Sequence, residues 1–135
     1  IDVTEHPTLI IGECPGNQKP ETEFCWENNR SANFIHTEVL YQLKNIIMTN
    51  ASMYKNSTSK KNLQDGFLDI EKLIYTHRPR MIILLGEVAV KELKTRIRII
   101  YPGPLYNFNH PSYVLRFQYR ERLIYASIIR KVIQS

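Results

Sequence analysis

Two short apolar runs, Thr8 to Glu13 (TLIIGE) and Arg80 to Leu85 (RMIILL), close on glycines, Gly12 and Gly86. Neither alternates apolar with polar residues, so neither has a face for water; a strand of this kind is buried on both sides, as in a parallel sheet. Between and around the runs lie helical patterns. Phe67, Ile70, Leu73 and Ile74 recur at helical spacing up to His77, and Ser31 stands as N-cap of a helix through Phe34, Ile35, Glu38, Val39 and Gln42. Strands that alternate with helices predict an α/β fold with a parallel sheet covered on both faces.

Two further strands complete the expected sheet of four. Asn45 to Asn50 (NIIMTN) is short and β-branched, and Ile97 to Tyr101 is similar in composition. A helix from Val88 to Lys94 precedes the fourth strand. After it, Pro102 to Asn109 reads as a proline and aromatic loop, and Pro111 suits the first turn of a last helix with Leu123, Ile124, Ile128, Val132 and Ile133 on one side. Asn17 to Asn29 is a polar loop around Phe24-Cys25-Trp26, and Ser52 to Asn62 is a Lys, Asn and Ser rich surface loop.

With 135 residues the chain is expected to form one domain, residues 1–135, with a core large enough to need no disulfide or metal staple. Its two cysteines, Cys14 and Cys25, are too few for a disulfide scaffold and too few for an iron-sulfur cluster, which takes four ligands. His6, His36 and His77 are scattered without metal-ligand spacing, so no cofactor or metal is expected. No apolar run approaches the roughly 20 residues that span a bilayer, and the expected setting is intracellular, in cytoplasm or nucleoid. Lys and Arg number 18 against 13 Asp and Glu. The resulting charge of +5 admits a polyanionic partner such as nucleic acid, although ordinary solvated lysines explain the same figure.

In open parallel sheets the ligand crevice lies at the carboxyl ends of the strands. Here that edge collects Glu13 to Phe24, Thr49 to Ser52, Gly86 to Val88 and Asn107 to Arg116. The turn Gly12-Glu13-Cys14-Pro15-Gly16 lets a ligand approach the backbone beside a carboxylate, or is simply a tight turn with a solvated Glu. It has the spacing of neither a phosphate loop nor a dinucleotide fingerprint. Asn50 offers one acceptor and two donors, the complement of a pyrimidine edge, or closes a strand-end turn. In Asn109-His110-Pro111-Ser112-Tyr113-Val114-Leu115-Arg116 an imidazole stands just ahead of a helix, whose positive end disfavours ring protonation. It is either a neutral hydrogen-bond donor beside a phosphate held by Arg116, or a capping His beside a surface Arg. Phe24 and Trp26 are core residues or stacking platforms.

Taken in order, GECPG, the aromatic of a polar loop, TN at a strand end, RPRMIILLGEVAVKEL and HPSYVLR resemble the uracil-DNA glycosylase superfamily, most closely its family 4 type. The resemblance implies a three-layer αβα sandwich around a short, mainly parallel four-stranded sheet, and an enzyme that hydrolyses the N-glycosidic bond of uracil flipped out of DNA. By motif, it implies that Glu13 and the backbone of Cys14 face the sugar and the attacking water. Phe24 would stack on the base, Asn50 would read its edge and His110 would donate to uracil O2. It also assigns DNA contact to Pro15, Gly16 and Ser112, and implies that the loop running to Arg116 presses into the duplex to hold the extruded nucleotide. Lys55, Lys60, Lys61, Arg116, Arg120 and Arg122 then form a group from which phosphate contacts would come, the rest being ordinary solvated charges.

The departures are specific. Family 4 members resemble four-cysteine iron-sulfur proteins, whereas this chain has two cysteines, and Cys14 occupies a position where other branches carry Asp or Asn. Any water-activating carboxylate must then be Glu13. Phe24-Cys25-Trp26 replaces the usual Phe-Val-Gly, which leaves another deaminated or mismatched base, or a catalytically silent DNA-binding scaffold, as alternatives. A monomer is expected, because no long apolar surface stripe remains once the core is assigned.

Overall fold

A computed structural model describes residues 6–13, 30–52 and 60–135. Four strands, β1 (Thr8–Gly12), β2 (Ile46–Asn50), β3 (Met81–Leu85) and β4 (Leu105–Phe108), form one sheet in the order β2-β1-β3-β4, every pair parallel. Successive side chains of a strand point to opposite faces, and each face has its own layer of core. On one side Leu9, Ile11, Ile82 and Leu84 pack with helix α2 (Lys60–His77) through Ile70 and Ile74, and with helix α3 (Glu87–Ile100) through Leu93 and Ile97. On the other, Ile10, Met48, Ile83 and Leu85 meet Ala32 of the short helix α1 (Arg30–Phe34), the π-helical turn Ile35–Val39, and Ala126, Ile129 and Ile133 of helix α5 (Arg122–Gln134). The result is the expected α/β fold, with helices on both sides of a parallel sheet.

Three local expectations need correction. Ile97 to Tyr101 is not a strand: Ala89, Leu93, Ile97 and Ile100 share one stripe of α3, while Ile99, opposite them, is 79% exposed. The helical period of these residues overrode the strand preference of a β-branched run. The fourth strand is Leu105–Phe108, inside the segment read as a loop. It sits at the sheet edge with Tyr106 and Asn107 exposed, where a neighbouring proline and polar residues are tolerated. Ser31 does not cap α1, which already includes it and passes into the π-helical turn.

The last helix is two helices. Pro111 opens a seven-residue helix, α4 (Pro111–Phe117), which a 3-10 turn (Tyr119–Glu121) separates from α5. The break changes the helical phase. Ala126, Ile129 and Ile133 become the buried stripe of α5, and Leu123, Ile124 and Ile128, expected in the core, are exposed.

One glycine explains how α2 is seated. Gly66 lies in mid-helix, where glycine is less favourable than alanine by about 1 kcal/mol. A Cβ there would stand 2.8 Å from the carbonyl carbon of Ala51 and closer still to its oxygen. The helix therefore rests directly on the backbone that follows β2.

Candidate active site

The parallel order brings four chain segments to one edge. The carboxyl end of β2 supplies Asn50, that of β1 leads into Glu13, β3 ends at Gly86, and β4 leads into Asn109 and His110. At about 4.8 Å per strand, roughly 14 Å separates the lines of β2 and β4. A cleft of about 510 Å³ opens between the last three segments, walled by Glu13, Gly86, Glu87, Asn109 and His110 with Ser112, Tyr113, Arg116 and Phe117 of α4.

Gly86 has φ 104°, a left-handed conformation suited to glycine, and the side chain of Glu13 lies across it. A Cβ on Gly86 would be 3.0 Å from both Cγ and Cδ of Glu13 and nearer still to Oε1. The Glu13 carboxylate accepts a hydrogen bond from the Val88 backbone N–H in the first turn of α3. Burial raises its carboxyl above the ordinary value; the Val88 bond opposes that shift and the neighbouring Glu87 charge adds to it. Glu13 is thus a fixed carboxylate with enhanced proton affinity at a strand end.

His110 is the N-cap of α4. Its Nδ1 accepts the Ser112 backbone N–H at 3.1 Å and stands 2.8 Å from Ser112 Oγ. A backbone N–H can only donate, so Nδ1 is the unprotonated nitrogen and a neutral ring carries its proton on Nε2. Burial lowers the His110 pKa to about 4. Just upstream, the Tyr125 hydroxyl of α5 donates to the carbonyl of Asn109 and pins the loop.

The His110 shift has a consequence for stability. Between pH 6.5 and about 4 the unfolded chain binds a proton at this residue that the folded chain refuses, so its contribution to stability is full above pH 6.5 and declines as pH falls toward 4. Urea midpoints at pH 7 and pH 5 are expected to differ more for the wild type than for His110→Gln, which has no titrating group there. Equal differences in the two proteins would contradict a depressed His110 pKa.

Asn50 is 3% exposed, in register with Gly12 across the β1–β2 pair, and outside the described walls of the cleft. Among the described residues its Nδ2 has no hydrogen-bond partner. A buried amide donor left without any partner costs about 1–3 kcal/mol. The next two residues fix its backbone: Ala51 N–H donates to Gly12 and Ser52 N–H to Glu13, each at 2.8 Å.

Of the residues singled out in the sequence, Glu13, His110, Ser112 and Arg116 therefore share one cleft, and Asn50 lies at the same sheet edge. Cys14, Pro15, Gly16, Phe24 and Lys55 lie outside the described residues. Lys61, Arg116 and Arg120 are exposed, and Arg122 is half-buried. Sequence reasoning missed Phe117, one residue beyond the expected segment, and Tyr125. The helical spacing of Phe117 from Tyr113 was a usable signal; Tyr125, 16 residues from Asn109, gave none. Among the described residues no three His, Cys, Asp or Glu side chains group to hold a metal, and no helix is long and apolar enough to cross a membrane.

A parallel α/β sheet with a carboxylate after β1 and an imidazole after β4, on either side of the end of β3, forms a crevice suited to hydrolytic chemistry. A family model described as the uracil DNA glycosylase superfamily matches residues 2–130, and the chain belongs to that superfamily. No curated protein sequence matches it. The class so defined is that of DNA glycosylases, enzymes of DNA repair that act on DNA.

Proposed function

We propose that this protein is a monofunctional uracil-DNA glycosylase, hydrolysing the N-glycosidic bond of a uracil flipped out of DNA and leaving an abasic site. The observation that carries the reading is the placement of His110 and Glu13 in one cleft, with His110 Nδ1 accepting the Ser112 N–H, which puts the ring proton on Nε2.

Cleavage of the bond between uracil N1 and C1′ leaves the electron pair on the base, largely at O2, and positive charge on the sugar. A neutral Nε2–H directed at O2 gains strength as that charge develops, and a cationic ring is not needed. Glu13 carries the opposite task. Its carboxylate stabilises the cationic sugar and accepts the proton of the water that adds to C1′, for which its raised proton affinity is suited. Water supplies hydroxyl to the sugar, and a proton completes the departing uracil. The Asn50 amide, whose Nδ2 has no partner among the described residues, is the donor for the far edge of the base. Cys14 in the first motif leaves Glu13 as the carboxylate for this step. In this reading the protein works inside the cell, with Phe24 stacking on the base. Pro15, Gly16, Ser112 and Arg116 meet the DNA backbone.

The test is single-turnover release of free base from a labelled oligonucleotide carrying one uracil. Release by wild type is the expected result. Absence of release with intact, salt-dependent DNA binding would shift the assignment to another lesion or to a binding scaffold. In the same assay Asn50→Asp, which exchanges a donor amide for an acceptor, is expected to reduce uracil cleavage by about 10–100-fold, the effect of one mismatched buried hydrogen bond. Unchanged activity would remove Asn50 from the base pocket.

A further inference from the structure

From the rim of the cleft outward, α4, the following turn and the first residue of α5 carry aromatic and arginine side chains: Tyr113, Arg116, Phe117, Tyr119 and Arg122. Phe117 is 64% exposed, Tyr119 49% and Tyr113 46%, high values for rings that could pack inward. They are already arranged. The Tyr113 and Phe117 rings lie 5.2 Å apart, tilted by 46°, and the Arg116 guanidinium stands 5.1 Å from the Phe117 centroid. Arg122 lies over Tyr119 at 3.9 Å while donating to the Tyr119 carbonyl, and Arg30 of α1 reaches the same ring at 5.9 Å. A guanidinium beside a ring is held in one place while its N–H groups remain available for phosphate oxygens.

We propose that this ridge is a track for single-stranded DNA flanking the target nucleotide, with unpaired bases stacking on Phe117 and Tyr113 and phosphates meeting Arg116, Arg122 and Arg30. The proposal rests on the glycosylase reading for the strand's direction of entry, and it adds a preference for unpaired flanks. Two observations select this occupant. Tyr113, Arg116 and Phe117 are also walls of the cleft, so a polymer with one nucleotide in the cleft passes over them. Exposed rings interleaved with cations fit a strand whose bases are open for stacking and whose backbone is anionic. A duplex hides its base faces and could use only the arginines.

Fluorescence anisotropy with a labelled uracil-free oligothymidylate and with a uracil-free duplex of equal length separates the possibilities. Wild type is expected to bind the single strand more tightly. Phe117→Ala is expected to weaken single-strand binding about tenfold, within the range for loss of one base–aromatic stack, and to change duplex binding less than about twofold. Phe117→Trp should keep the affinity, and Phe117→Leu, which preserves apolar bulk without a π-face, should not. Arg122→Gln should make single-strand binding less salt-dependent. The ridge is overturned if Phe117→Ala binds the single strand as wild type does, or if single-strand and duplex binding fall alike, the mark of a wedge into duplex. Uracil release by wild type is measured alongside. If release fails while the Phe117 effect holds, the glycosylase reading is wrong and the ridge stands; if release occurs without a Phe117 effect, the glycosylase reading stands and the ridge is wrong.

Discussion

Replacing His110 with Ala is expected to slow single-turnover release of uracil by about 10²–10³-fold, the cost of removing one donor aimed at developing negative charge, about 2.7–4 kcal/mol. Affinity for the oligonucleotide should stay near the wild-type value, because the donor acts on charge that appears only as the bond breaks. The same substitution removes the N-cap of α4, worth about 1 kcal/mol, so a slow variant alone would not separate chemistry from disorder of the loop. His110→Asn resolves this. Asparagine is a good cap that can accept the Ser112 N–H, but it does not reproduce the Nε2 donor at the reach of an imidazole. The expected result is wild-type thermal stability with a rate as low as that of the Ala variant. Wild-type rates in both variants would take His110 out of the reaction, and recovery in the Asn variant would reduce its role to capping.

Gly66→Ala is expected to produce the largest loss of stability from a single methyl group. Two effects oppose each other. Alanine improves the helix by about 1 kcal/mol, whereas overpacking against rigid structure costs about 1–3 kcal/mol and sometimes more. Here the added carbon meets backbone, the carbonyl of Ala51, which has no rotamer with which to yield. The clash should win, giving a net loss of about 2 kcal/mol or more in urea unfolding at unchanged m-value. Activity should fall further than the unfolded fraction explains, because Ala51 and Ser52 hold the strand end that carries Asn50 against Gly12 and Glu13. A variant more stable than wild type would mean that α2 slides away freely and that its seat on Ala51 has no bearing on the site.

The order of elements was legible because burial on both sides leaves a plain mark: TLIIG and MIILL have no polar alternation, as in strands of a parallel sheet between helices, and helical patterns lie between them. The same rule misplaced the fourth strand. LYNF lies at an edge, so half of it faces water and its sequence resembles a loop, while the β-branched run before it serves a helix. The strand-end positions of Glu13, Asn50 and His110 were readable, because a glycine closure, the end of a β-branched run and a helix-opening proline mark where the strands stop. What could not be read is how these groups are held. The carboxylate of Glu13 across Gly86, the Ser112 N–H that fixes the His110 tautomer, and the Tyr125 bond to Asn109 depend on approach in space or on hydrogen positions, and no spacing encodes them.

The anchoring of the Asn109 loop by Tyr125 also makes the site sensitive to a distant part of the chain. Glu13 stands at the end of β1, whereas the loop that carries His110 is tied to α5, a helix seated on the sheet through Ala126, Ile129 and Ile133. A substitution that loosens that seat reaches the imidazole without touching the cleft, so wear in the helical layer is read out at the site.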